Sequence, residues 1–399
     1  MLYADLPSPA VLIDRSRLLA NLDEMASNAM NEGVALRPHT KTHKSVELAR
    51  LQRDRGASGL TVAKVGEAEV FAAHGFTDIR MAYVTRGEEK WARMRKLAAD
   101  GVTVSFCVDT LEGARAASDS YVAAGTTAPV LLEIDCGYGR CGLRWDHPDM
   151  PETAAAMAAL PGLEIIGILT HAGHAYNGPS GPDETKEAAL RRVSAEERDR
   201  MLEAAARLEA VGVAWTGVRE NTAAAGGRFE ISVGSTPSLR YFENAERGGF
   251  RITEIRPGNY VYLDATQVGL GVQAYDRCAL TVFATVISKH RNEDGSERLF
   301  LDAGKKVLTS DGAFGHEGYG VILYNHKTME PLPHHRINGL SEEHGWVHVR
   351  GGSTLAVGDT VRVVPNHACV VVNTQRAVHV VDGDDLVETW VVDAQSLVT

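Results

Sequence analysis

The feature that most constrains the fold is an alternation that runs through the first two thirds of the chain. Eight short β-branched runs recur there: VALRPHT, GLTVAKV, DIRMAYV, VTVSFCVD, PVLLEID, EIIGILTHA, FEISVGS and EIRPGNYVYLD. Between them lie amphipathic segments such as SVELARLQRDR, GEAEVFAAHG, EEKWARMRKLAAD and DETKEAALRRVSAEERDRMLEAAARLEAVG. At each step the apolar spacing changes from two residues to about 3.6 and back, the mark of strand followed by helix. Eight strands with helices between them is the count of a (β/α)8 TIM-type barrel. An open doubly wound sheet shares the alternation, but no Gly-rich dinucleotide fingerprint follows the first strand, which favours the barrel.

After about residue 265 the pattern changes. CALTVFATVISKH, RLFLDAGKKV, GWVHVRGG, DTVRVVPNHACVVVN, AVHVVDGDD and LVETWVVDA read as strands joined by Gly and Asp turns, hence an all-β C-terminal domain. HRNEDGSER supplies a solvated hairpin turn through its Asp-Gly step. The expected division is therefore 1–265 and 266–399, in keeping with 399 residues being too many for one ordinary core. A formal net charge of −11 argues against a nucleic-acid partner. MLYADLPSPAVLIDRS has no cationic and apolar leader pattern, and no apolar run reaches membrane-spanning length. The five cysteines, Cys107, Cys136, Cys141, Cys278 and Cys369, are odd in number and scattered, so reduced thiols and a cytoplasmic location are expected. No membrane partner is expected either.

LRPHTKTHK, residues 36–44, crowds five basic side chains into nine positions, and such runs are ordinarily solvated surface. If VALRPHT is the first barrel strand, however, alternation puts Arg37, His39 and Lys41 on one face, with Lys41 where the strand ends. Barrel active sites stand at the C-terminal ends of the strands. An amine partly desolvated there beside other cations is a nucleophile, which suggests Schiff-base chemistry with pyridoxal 5′-phosphate. Two turns at the ends of the last strands suit its phosphate: VGSTPS, with Gly234, Ser235 and Thr236, and RPGNY, with Gly258, Asn259 and Tyr260. IDCGYGRCG after the fifth strand either aims Arg140 inward or is a plain turn with an exposed arginine. In VVPNHACVVVN, a strand would turn His367 and Cys369 to the same side, where imidazole and thiolate favour Zn2+ and leave positions open. The alternative is a buried cysteine beside a strand histidine.

Taken in order, RPHTKTHK, DCGYGRCG, THAGHAYNG, GSTPS, RPGNYVYLD, LDAGKK, EEHG and PNHAC resemble the D-serine dehydratase and D-threonine aldolase family over nearly the whole chain. The resemblance implies a fold-type III pyridoxal-phosphate enzyme with an alanine-racemase-like barrel. It makes Lys41, not Lys44, the cofactor lysine and His367 and Cys369 the ligands of Zn2+ or another divalent ion. It also implies that Arg140 lies near the cofactor's phenolic oxygen and that Tyr176 lines the pocket, while Gly234, Ser235, Thr236, Gly258 and Asn259 hold the phosphate. A head-to-tail homodimer is implied as well. The His-x-Cys pair and GSTPS resemble the dehydratases rather than the aldolases, which carry His-x-Asp. The expected reaction is thus D-serine to pyruvate and ammonia, with D-threonine aldolase or 3-hydroxy-D-aspartate dehydratase activity as alternatives. A racemase would leave the His-x-Cys pair unexplained, and a non-catalytic cofactor carrier would lack the C-terminal domain.

Overall fold

The computed structural model describes residues 1–399. The chain forms two compact units, one of Ala26–Lys41, Ala49–Gly258 and Leu397–Thr399, the other of Met1–Met25, Thr42–Leu48 and Asn259–Ser396. The expected division is a single cut at residue 265; the observed units interleave, and the cause is hydrogen bonding described below.

The first unit is an eight-stranded parallel barrel. Its strands, in chain order, are Ala35–Leu36, Leu60–Val62, Asp78–Val84, Thr103–Val108, Ala128–Asp135, Leu163–Leu169, Glu230–Val233 and Glu254–Ile255. Six of the eight fall within the expected runs, and the fifth and sixth begin one residue before theirs, at Ala128 and Leu163. Neighbours in sequence are neighbours in the sheet, and the eighth strand pairs with the first. Closure between the first and second comes from Ser58 N–H to Leu36 O, Thr61 N–H to Pro38 O and a parallel bridge of His39 with Thr61. The intervening helices include Glu88–Ala99, which buries Trp91, Met94 and Leu97 along one face, and Lys186–Glu209. Thr110 and Thr185 cap the helices that follow them by accepting from Gly113 N–H and Ala188 N–H.

The barrel interior is charged at its N-terminal end. Arg37, which is 2% exposed, donates to Glu254 at 2.6 Å and forks onto Asp78 at 2.7 and 2.8 Å. Glu254 also accepts from Arg80 and from Ser232 Oγ, each at 2.6 Å, and Arg80 pairs with Glu230. Burial by itself would raise the Glu254 carboxyl, but Arg80 and Arg37 hold it well below the usual carboxylate range.

The second unit is built on a sheet whose long strand Leu280–Arg291 pairs along its first half with Ala10–Asp14 on one side and Thr360–Val364 on the other. Its second half pairs with Glu297–Leu301 after a register shift between Val286 and Ser288. The turn at Asn292–Ser296 has Gly295 at φ +81°, as the Asp-Gly step requires. Ala10–Asp14 lies parallel to Ala377–Asp382, which pairs in turn with Asp385–Val391. The N-terminal strand is thus interior to the C-terminal sheet, and this is why the units interleave. Leu12, Val282, Val363 and Val380 are all fully buried in this sheet.

Candidate active site

The first barrel strand is shorter than VALRPHT suggests: it stops at Leu36, and Lys41 sits in a 3-10 turn, Thr40–Thr42. From residue 36 to residue 46 every residue is buried except Lys41. The basic run is therefore no solvated patch, since Arg37, His39, His43 and Lys44 are all inside. Lys41 itself is exposed, in a turn whose preceding residue Thr40 is fixed to Thr61 O at 3.0 Å.

The loops after the sixth and seventh strands are tied together by a carboxylate that the sequence reading missed. Glu197, 2% exposed on the helix Lys186–Glu209, accepts from Gly234 N–H at 2.8 Å, Ala172 N–H at 3.2 Å and Ser238 Oγ–H at 2.8 Å. Burial pushes its pKa up, and the Gly234 and Ser238 donors oppose that. Gly234 itself has φ +115°, and a Cβ there would lie 2.9 Å from Leu239 Cδ1, so glycine is required. Its N–H serves Glu197, while Ser235 N–H bonds Ser238 Oγ at 3.1 Å and Ser235 Oγ bonds Ala172 O at 3.3 Å. Thr236 is buried beside them.

In RPGNY, by contrast, the backbone N–H groups of Gly258 and Asn259 have no acceptor within the chain. Asn259 opens the 3-10 turn Asn259–Val261 and is 6% exposed. Adjacent unpaired donors at the start of a turn are what an anionic oxygen requires, so this segment fits a phosphate group. Replacing Glu197 by Ala orphans three donors and is expected to weaken pyridoxal 5′-phosphate binding by about 5–150-fold, from about 1–3 kcal/mol of lost satisfaction. Glu197→Gln keeps an acceptor for the two N–H groups and is expected to lose much less. A fluorescence titration of the two variants checks this ordering.

After the fifth strand, Gly142 at φ +111° lets the loop fold onto Asp135, whose N would be 2.7 Å from any Cβ. Arg140 does not point wholly inward. Its side chain is 52% exposed, 3.8 Å from the buried Glu133 carboxylate and above the Tyr138 ring at 5.5 Å. Tyr138 in turn meets the His171 ring edge-on at 5.9 Å. His171, which follows the sixth strand, was also missed. Burial and then the positive charges of Lys41, Arg140 and Arg256 hold its imidazole well below the usual range, so it is neutral. The THAGHAYNG segment contains the signal: a histidine immediately after a barrel strand. Tyr176 is half-buried in the 3-10 turn Gly173–Asn177 that follows.

In the other unit, His367 and Cys369 do not lie on a strand. The strand ends at Val364, and Ala368–Asn373 is a short helix with His367 as its extended N-cap. Asp264, fully buried, accepts from Ala368 N–H at 3.0 Å, from Asn259 Nδ2 at 2.6 Å and from Gln267 N–H at 3.1 Å, which starts the helix despite its run of valines. The two side chains are nonetheless brought together. Burial would lower the His367 pKa, but the Cys369 sulfur, then Asp264 and Asp311, raise it to about 10. Cys369 Sγ also lies 3.2 Å from Thr42 Oγ1. An imidazole and a sulfur held beside one another are a donor pair that suits a divalent ion of zinc's softness. No group of three or more His, Cys, Asp or Glu side chains is arranged to hold a metal, so the pair alone would leave coordination positions open. The remaining cysteines are free thiols, and no helix is long and apolar enough to cross a membrane.

Residues 13–265 match the family model described as alanine racemase, N-terminal domain, and residues 279–381 match a serine dehydratase domain model. The D-threo-3-hydroxyaspartate dehydratase of Delftia sp. (strain HT23) is 32% identical over 96% of this chain and 97% of its own. Its solved structure is similar with a TM-score of 0.83, covering 98% of each chain. Similar too, each with a TM-score of 0.83 and 31% identity, are a histidine-to-alanine variant of a D-threo-3-hydroxyaspartate dehydratase and a cysteine-to-alanine variant in the metal-free form. The D-threonine aldolase of Arthrobacter sp. is 31% identical over 98% of this chain and 93% of its own. The D-serine dehydratase of Dictyostelium discoideum is 26% identical over 96% and 95%.

Proposed function

Because this chain belongs to the family defined by the alanine racemase N-terminal domain, we propose that it is a pyridoxal-phosphate-dependent lyase of D-3-hydroxyamino acids that also uses a divalent metal, Zn2+ by its donor set. The favoured reaction is dehydration, with D-serine giving pyruvate and ammonia. Bound in the barrel, the cofactor supplies an electron sink for the α-carbon, and the ion supplies a Lewis acid for the 3-hydroxyl. Lys41 would be the residue that holds the cofactor covalently, and its amine, when free, would be the base for the α-proton. Gly258 and Asn259 N–H, with the Ser235–Thr236 turn held by Glu197, would seat the phosphate, while Arg140 and Tyr176 would border the ring. His367 and Cys369 would hold the ion. Departure of the 3-hydroxyl as water and hydrolysis of the remaining enamine give the 2-oxo acid and ammonia, so atoms balance.

The observation that carries this reading over a retro-aldol cleavage is the paired His367 and Cys369. Histidine and cysteine two residues apart are also the positions replaced in the dehydratase variants, one of them metal-free. Identity alone does not separate the two reactions, since the dehydratase and the aldolase relatives stand at 32% and 31%. Incubation with D-serine, D-threonine and 3-hydroxy-D-aspartate, before and after chelation, is the deciding experiment. We expect a 2-oxo acid and ammonia, with the rate falling on chelation and returning with Zn2+. Glycine and an aldehyde as the main products would reverse the assignment.

A further inference from the structure

Resting on that reading, we propose that Asp311 is a positioning residue for the metal pair, fixing the His367 ring so that Nε2 is the nitrogen offered to the ion. Asp311 Oδ2 lies 2.6 Å from His367 Nδ1. A carboxylate only accepts, so the hydrogen stands on Nδ1 and the lone pair of a metal-bound imidazole is left on Nε2. A negative charge behind the ring also strengthens its donation to a cation.

The contact is built in from the backbone side as well. Asn366, which has no exposed surface, donates from Nδ2 to Asp311 O at 2.9 Å and to Gly318 O at 2.7 Å. Asp311 N–H in turn bonds Thr309 Oγ1 at 3.3 Å. Consecutive residues, Asn366 and His367, therefore grip the backbone and the carboxylate of one and the same aspartate. A casual surface ion pair has no such second anchor. The side chains of His367 and Asp311 are 40% and 44% exposed, so a merely decorative pair would leave metal binding untouched.

The test measures zinc affinity by chelator competition on the pyridoxal-phosphate-loaded protein. Asp311→Ala is expected to raise the zinc dissociation constant by about 10–100-fold. Asp311→Asn, which still accepts from Nδ1–H, is expected to recover most of that loss. Nitrogen-15 spectra of the histidine-labelled wild-type zinc form give an independent reading, with hydrogen on Nδ1 and the metal-induced shift on Nε2. Equal zinc affinity in Asp311→Ala, or a metal-induced shift on Nδ1, overturns the proposal and leaves the lyase reading standing. Wild-type protein that binds no zinc overturns the metal part of that reading and this proposal together.

Discussion

Lys41→Ala is expected to lower turnover of the preferred D-3-hydroxyamino acid by at least about 10^4-fold, since under the proposed function the change removes both the nucleophile and the base. Borohydride treatment should fix a pyridoxyl adduct on the peptide containing position 41 in the wild type and on no peptide of the variant. The expectation rests on accessibility: Lys41 is the one exposed residue between positions 36 and 46. Lys44, the other lysine of the run, is 5% exposed, has φ +50° and is tied through its carbonyl to Ala394 N–H at 3.0 Å. Lys44→Ala should accordingly keep the adduct. An adduct on any other lysine, or a Lys41→Ala variant that turns over normally, would end the lyase reading.

Glu254→Ala should destabilise the barrel by about 3–5 kcal/mol, the usual cost of stripping one partner from a buried ion pair. Glu254 accepts from Arg37, Arg80 and Ser232, and both arginines are 2% exposed. Without it Arg80 keeps one carboxylate, Glu230, and Ser105 Oγ at 3.2 Å, and Arg37 keeps one carboxylate, Asp78, so two interior guanidinium groups share less opposite charge. The urea midpoint of the barrel transition reads the effect. A loss under about 1 kcal/mol, the range of exposed pairs, would show that solvent already reaches this end of the barrel.

The barrel was legible because its strands are local signals. Leu60–Val62, Asp78–Val84 and Thr103–Val108 sit inside β-branched runs that propensity and spacing mark without help from elsewhere. The short helix Ala368–Asn373 was not legible, because Cys369 and three valines argue for a strand and the deciding contact is distant: the carboxylate of Asp264, remote in sequence, takes the Ala368 N–H. Lys41 is singled out by its motif, but its exposure in the turn Thr40–Thr42 depends on contacts remote in sequence, such as His39 N–H to Pro257 O and Thr40 to Thr61 O. Glu197 left a faint trace. Leu190, Val193, Met201 and Leu208 mark the buried stripe of its helix, and an acid in that stripe is the anomaly that points to a buried acceptor. Asp311 left none, since a loop aspartate acquires its role only when His367 is brought to it.

The strand Ala10–Asp14 has a consequence for how the molecule is made. It is made long before one of its flanking strands, Ala377–Asp382, with all eight barrel strands between the two in the chain. Until then its apolar residues must wait without a seat, while every barrel strand has already been synthesised. A change in Ala10–Asp14 would therefore strike a sheet whose other strands lie more than 250 residues further along the chain.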